Sequence, residues 1–152
     1  FIIDGGIDAE NKARFFQIVE RSKIEVTLQF VSTDLSVLFG LPTHQKHFSV
    51  ANYFRLLIPT ILDSAVEKVI YLDSDLLIRT NLKQLWDIEI GNDALLAVRE
   101  YDSAPEFRLA DGSLSKAAQL NSGVLVMNLA RWRQDNLSSK ILDYLRQNAD
   151  TN

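Results

Sequence analysis

The sequence contains no cysteine, which removes disulfide scaffolds, thiolate zinc sites and thiol nucleophiles from consideration and fits a reducing compartment. Proline is scarce (3 residues) and glycine modest (6), so low-complexity and fibrous classes are excluded. Basic residues are in deficit, 16 Lys and Arg against 20 Asp and Glu. Without a basic block, sequence-independent nucleic-acid binding lacks the cations it runs on, and no nucleic-acid partner is expected. The apolar runs, such as Ile70–Leu72, Ala94–Val98 and Val124–Met127, fall far short of the roughly 20 residues that span a bilayer. What is present is ordinary globular material: 47% hydrophobic and 24% charged residues over a length of 152, enough for one sizeable core.

The chain opens with Phe1-Ile2-Ile3-Asp4-Gly5-Gly6, the end of a strand entering a turn, with no Met and no charged leader. Asn148 to Asn152 leaves a helix without a closing element. The expectation is a single domain fragment over residues 1–152, incomplete at both ends, with no repeat, linker or second domain.

Asp8 reads as an N-cap for a helix over Ala9 to Arg21, with apolar Phe15, Ile18 and Val19 on one face. Ile24 to Phe30 alternates strictly, which predicts a half-buried strand. Asp34 to His47 reads as a loop. Ser49 can cap a helix through Leu62, with a kink at Pro59. Val69 to Leu72 and Ala94 to Val98 predict buried strands, and Thr80 to Trp86 a short helical turn between them. Asp102 to Lys116 is polar and irregular. Gln119 to Asn128 predicts a strand and Ser138 to Gln147 a closing helix. Strand and helix alternate, so the expected class is α/β with a mainly parallel sheet flanked by helices. Trp86 and Trp132 both read as core residues.

Tyr71-Leu72-Asp73-Ser74-Asp75 carries the sharpest chemistry. An apolar strand ends in two carboxylates one residue apart, and in an extended segment positions i and i+2 share a face about 7 Å apart. Carboxyl ends of strands are where open α/β sheets hold ligands. A hard divalent cation relieves the repulsion of two such acids and leaves positions for phosphate oxygens. The plain alternative is a strand-to-turn transition capped by Asp. Asn121-Ser122-Gly123 at the head of the last strand offers hydrogen-bond groups and close backbone approach, which suits a sugar. A polar turn with a bulge glycine is the equal alternative. Arg55 has the fork geometry for a phosphate, although an arginine on such a helix is more often a surface residue. Glu100 is a further candidate carboxylate. His44 and His47, with no Cys and no third His, read as loop residues rather than metal ligands.

Taken in order, Tyr53-x-Arg55-Leu56, Lys68 to Asp75, Leu82-x-x-Leu85-Trp86, and Asn121-Ser122-Gly123-Val124 to Asn128-Leu129 with Trp132 resemble glycosyltransferase family 8. That family includes lipopolysaccharide galactosyl- and glucosyltransferases and glycogenin. The resemblance spans nearly the whole chain, with Phe1 to Ile7 similar to the family's second strand. It implies a GT-A fold, a UDP-sugar donor, Mn²⁺ (or Mg²⁺), retention of anomeric configuration, and a saccharide or lipid-linked saccharide acceptor. By position, Asp73 and Asp75 match the metal-binding acids and Ser74 the variable residue between them. Tyr53 and Arg55 match the block near the donor, and Asn121, Ser122 and Gly123 match the polar edge near the donor sugar. Glu100 stands where relatives carry Asp. The first strand, with its nucleotide-contacting turn, is expected before Phe1. The Gln-Asp motif and the His that completes the metal shell are expected after Asn152.

No carboxylate here presents itself as a nucleophile, which leaves front-face attack assisted by the leaving group as the route to retention. The rival enzyme is a haloacid-dehalogenase-type phosphohydrolase, with Asp73 as nucleophile. It is disfavoured by Leu77 in place of Thr or Val and by the elements that precede the Asp strand. A non-catalytic sugar-nucleotide-binding domain is the other alternative. The expected setting is cytoplasmic, peripheral to the inner membrane.

Overall fold

Short apolar segments alternate with amphipathic ones along the chain, and the computed structural model, which describes residues 1–43, 49–99, 107–108, 114–115 and 120–149, turns them into strands and helices. In chain order these are β1 (Ile2–Asp4), α1 (Ala9–Ser22), β2 (Phe30–Ser32), 3₁₀ helices at Leu35–Leu38 and Val50–Leu57, and α2 (Ile58–Ile61). Then come β3 (Lys68–Leu72), α3 (Lys83–Trp86), β4 (Leu95–Arg99), β5 (Phe107–Arg108), β6 (Leu114–Ser115), β7 (Leu120–Asn128), α4 (Leu129–Gln134) and α5 (Leu137–Gln147). Residues Phe1–Asp63 with Asn136–Asn152 form one compact unit, and Ser64–Asp135 a second.

In the first unit, Asp8 caps α1 as expected, its carboxylate accepting from the Asn11 amide at 2.8 Å. The helix ends at Lys23, whose φ of 55° is left-handed. β1 and β2 pair in parallel, Ile2 opposite Phe30 through Asp4 opposite Ser32. The Phe30 ring meets Phe15 and Phe16 edge-on at 5.8 and 5.7 Å. A separate core gathers Leu38, Leu41, Tyr53, Leu57 and Leu142.

Two expectations change here. The strand placed at Ile24 to Phe30 begins only at Phe30, and Ile24 and Val26 are exposed. Alternation marks a strand only where a neighbour offers a ladder, and β1 is three residues long. The helix placed at Ser49 to Leu62 is a 3₁₀ helix followed by one α-turn. Pro59 sits in the first turn of α2, where a missing N–H leaves no bond unmade. Ser49 has extended backbone but makes no side-chain cap.

The second unit is a three-stranded sheet in the order β3-β7-β4, with the small antiparallel pair β5-β6. Both pairings of β7 are antiparallel, so among the described strands only β1 and β2 pair in parallel. The expectation of a mainly parallel sheet is corrected at this level. β3 and β4 do run in the same sense, as strand–helix–strand alternation implies, but β7 returns from further along the chain and lies between them.

Met127 and Leu129 are fully buried and Val126 nearly so, each burial stabilising by about 1.5–3 kcal/mol. The unforeseen α4 is N-capped by Asn128, whose side chain accepts from the Arg131 amide at 3.0 Å. Trp132 is core, and its indole N–H donates to the Ala94 carbonyl at 2.8 Å.

Trp86 is not core: it is 45% exposed. α3 spans barely one turn (Lys83–Trp86) and has no buried face. The Lys68 ammonium lies 5.1 Å from the Trp86 ring centroid and donates to the carbonyls of Trp86 (2.5 Å) and Ile88 (2.8 Å). A cation thus satisfies the carbonyls at this helix end.

Candidate functional site

β3 is a continuous apolar strand because β7 pairs along its whole length, Lys68 opposite Asn128 through Leu72 opposite Val124. The ladder runs one residue further, with the Asp73 amide donating to the Gly123 carbonyl at 2.9 Å. The chain then turns at Ser74 and Asp75. The extended spacing expected to put Asp73 and Asp75 on one face does not continue past Asp73. A turn follows instead, and Asp75 lies on it. Asp73 is half-buried, while Ser74 and Asp75 are exposed.

β7 supplies the other wall. Its register with β4 jumps between Ala97↔Leu125 and Val98↔Asn121, so Ser122, Gly123 and Val124 have no counterpart on β4. This bulge lies where β7 meets Asp73, and bulges re-aim the residues they carry. The Asn121 side-chain oxygen accepts from the Gly123 amide at 3.0 Å, which leaves its amino group as the remaining donor. A Cβ at Gly123 would lie 3.0 Å from Asp73 Oδ2 and 3.3 Å from Asn121 Oδ1. Glycine suits that close approach, since a side chain here would push one of the two oxygens aside by a few tenths of an ångström. The structure therefore brings Asp73, Asn121 and Gly123 together, with Ser74, Asp75 and Ser122 beside them in the chain.

Tyr71 is the residue that motif reading passed over. Its hydroxyl donates to Asp73 Oδ1 at 2.5 Å. The signal was available, since positions 71 and 73 of a strand face the same way.

Asp73 and Asp75 are hard oxygen donors suited to Mg²⁺ or Mn²⁺, and Asp73 Oδ2 lies close against the β7 backbone at Gly123. Among the described residues no group of three or more His, Cys, Asp or Glu gathers at this turn or anywhere else, so the two acids would supply only part of a metal shell. The residues fit a cation that shares its shell with phosphate oxygens. Beside the acidic turn runs an open groove of about 400 Å³ with mainly aliphatic walls, including Leu72, Leu77, Ile78, Leu85 and Val124.

The other site residues lie in the first unit or outside the described residues. Tyr53 is buried in the core there, its hydroxyl donating to the Pro42 carbonyl at 2.6 Å, and burial pushes its phenol pKa up. Arg55 is half-buried, and its Nε donates to the Asn52 carbonyl at 2.9 Å. The first unit also holds a turn organised by Asp4. Its Oδ1 accepts the amides of Gly6 (2.9 Å) and Ile7 (2.7 Å), and its Oδ2 pairs with Lys12. The Lys12 hydrogen bond, then those two amides, hold its pKa down at about 2. Glu100, His44 and His47 lie outside the described residues, as does most of the polar stretch from Asp102 to Lys116.

The family model described as Glycosyl transferase family 8 matches residues 1–152. General stress protein A of Bacillus subtilis is 27% identical over 152 residues, covering 99% of this chain and 51% of that protein. Lipopolysaccharide 1,3-galactosyltransferase of Salmonella typhimurium is 24% identical over 144 residues, covering 91% and 42%. The crystal structure of the galactosyltransferase LgtC in complex with donor and acceptor sugar analogues matches with a TM-score of 0.66 and 26% identity, covering 93% of this chain and 52% of that one. The chain thus spans about half the length of the curated relatives it matches. Its fold is GT-A.

Proposed function

Starting from the fact that this chain belongs to glycosyl transferase family 8, we propose that it forms the donor-binding part of a retaining hexosyltransferase. The enzyme moves galactose or glucose from a UDP-sugar to a saccharide or lipid-linked saccharide acceptor. The observation that carries this reading is the seating of Asp73, at the carboxyl end of β3, against Gly123 and beside Asn121. An acidic turn and a polar strand head meet at one point, which suits the diphosphate and the sugar of one donor.

Asp73 and Asp75 would hold a divalent cation, Mn²⁺ or Mg²⁺. When bound, that ion supplies Lewis-acid stabilisation of the charge on the departing diphosphate. Asn121 orients the donor sugar through its amino group, and the Ser122 hydroxyl adds a second polar contact. Arg55 contributes a guanidinium to the phosphates. Ser74 lies between the acids, with its backbone toward the donor. Tyr53 supports that group from the core rather than through its own hydroxyl, which the Pro42 carbonyl already holds. The proposed setting is cytoplasmic, peripheral to the inner membrane where lipid-linked acceptors reside.

The test is calorimetry of UDP binding to the complete protein with Mn²⁺ and then with excess chelator. Affinity should fall at least tenfold on chelation. Unchanged affinity would remove the metal from the reading. The phosphohydrolase alternative ends with the family match. Donor binding without transfer would return the non-catalytic one.

A further inference from the structure

We propose that Gly5 is a positioning residue for Arg55: the bare backbone at the carboxyl end of β1 seats the Phe54 ring and thereby fixes the 3₁₀ helix on which Arg55 stands. The inference rests on the donor reading of Arg55 and deepens it. β1 ends at Asp4 and pairs in parallel with β2, and carboxyl ends of parallel strands are where such sheets hold ligands. Gly5 is the next residue. A Cβ there would stand 2.6 Å from Phe54 Cε2 and 2.9 Å from Cζ, so the ring edge lies directly on the glycine backbone.

Neither side of this contact yields easily. The Asp4 carboxylate holds the turn through the Gly6 and Ile7 amides, at 2.9 and 2.7 Å, and through Lys12. Phe54 packs against the buried core that contains Tyr53 and Leu57, and the Tyr53 hydroxyl donates to the Pro42 carbonyl at 2.6 Å. Arg55 follows Phe54 directly. Its Nε donates to the Asn52 carbonyl at 2.9 Å, which ties the guanidinium to the same helix. Carbon atoms in contact rest about 3.5–4.0 Å apart, so a methyl group on Gly5 would part ring and turn by about 1 Å. A close-packed core passes that motion on to Arg55, and misplacing a binding group by about 1 Å can cost about 100-fold in rate.

The experiment uses the complete protein and measures UDP affinity by calorimetry at fixed Mn²⁺, after urea melts establish that each variant is folded. The variants are Arg55→Ala, Gly5→Ala, Phe54→Leu, and Gly5→Ala combined with each of the other two. Arg55→Ala and Gly5→Ala should each weaken UDP about tenfold. On the Arg55→Ala background, Gly5→Ala should cost less than about a further twofold, because residues acting as a unit give non-additive losses. Phe54→Leu removes Cε2 and Cζ, the two atoms in the way, so adding it to Gly5→Ala should restore affinity to within about threefold of wild type. A residue that served only the fold would lower the melting midpoint and leave UDP affinity unchanged. Wild-type affinity in Gly5→Ala, an equal cost on the Arg55→Ala background, or no recovery with Phe54→Leu would each overturn this inference while loss in Arg55→Ala keeps the donor reading standing. Wild-type affinity in Arg55→Ala would overturn the donor reading of Arg55 itself. Should Gly5→Ala fail to fold, Phe54→Leu alone decides, since it opens a gap in place of the contact. It should weaken UDP about threefold, and not on the Arg55→Ala background; wild-type affinity would overturn the proposal.

Discussion

The two tryptophans fill opposite roles in the second unit, and replacing each by phenylalanine should separate those roles sharply. Trp132 is 4% exposed and donates its indole N–H to the Ala94 carbonyl at 2.8 Å. In Trp132→Phe that hydrogen bond goes, a net loss of about 0.5–1.5 kcal/mol. The lower half of that range applies, because the Ala94 carbonyl still accepts from the Asn128 amide at 3.0 Å and is not left unpaired. Three ring atoms also vanish from a closed site, adding about 1.5–2 kcal/mol of lost burial and residual cavity. The sum is about 2–3 kcal/mol. Trp86 is 45% exposed, and its ring lies under the Lys68 ammonium, which a phenyl ring also attracts. Trp86→Phe should therefore lose less than about 1 kcal/mol. Urea unfolding of both variants, compared at equal m, gives the two numbers directly. Equal losses would refute the assignment of Trp132 to the core and Trp86 to the surface.

Two further expectations follow from the first unit. The folded pKa of Asp4, about 2, lies below its ordinary 3.8, so its contribution to stability is present above about pH 4 and is lost as pH falls toward 2. The stability gap between wild type and Asp4→Asn, read from urea melts, should be open near neutral pH and close over that acid window; a gap independent of pH would sink the assignment. Arg55→Lys should lose donor turnover almost as badly as Arg55→Ala, since an ammonium cannot reproduce a fork of two parallel hydrogen bonds, and steady-state kinetics showing a fully active lysine variant would remove Arg55 from the donor-binding residues.

Local signals in the sequence translated well into structure. Asp8 starts a helix because its carboxylate reaches the Asn11 amide three residues on, an interaction that needs no distant partner. The apolar run at Val69 to Leu72 became β3 for a similar reason, since continuous hydrophobicity already implies cover on both faces. The pairing of strands was not legible. β7 lies between β3 and β4 although it follows β4 by some twenty residues, and no local pattern encodes that return. Ile24 to Leu28 shows the same gap from the other side: the pairing with β1 reaches back only to the Gln29 carbonyl, which accepts from the Ile2 amide at 2.7 Å.

At the site, Asp73, Asn121 and Gly123 could each be named from motif and spacing. Their meeting depends on the antiparallel register of β3 with β7, which is a tertiary fact. Tyr71 could have been found from strand periodicity alone, but it reads first as one more apolar strand residue.

The bulge in β7 makes its two flanks mechanically independent where it matters. On the β3 side the ladder runs without a break from Asn128 to Val124 and on to the bond between the Asp73 amide and the Gly123 carbonyl. On the β4 side the register shifts between Ala97 and Val98, so Ser122 to Val124 face no paired position there. A slip or a substitution in β4 can be absorbed at that register shift before it shears Asp73. Variation in how the chain leaves β4 at Arg99 is thus tolerated by the acidic turn, whereas a one-residue shift between β3 and β7 would invert every side chain along β3. Homologous chains should accordingly vary freely in register at Val98 and Arg99 while holding Leu72 opposite Val124.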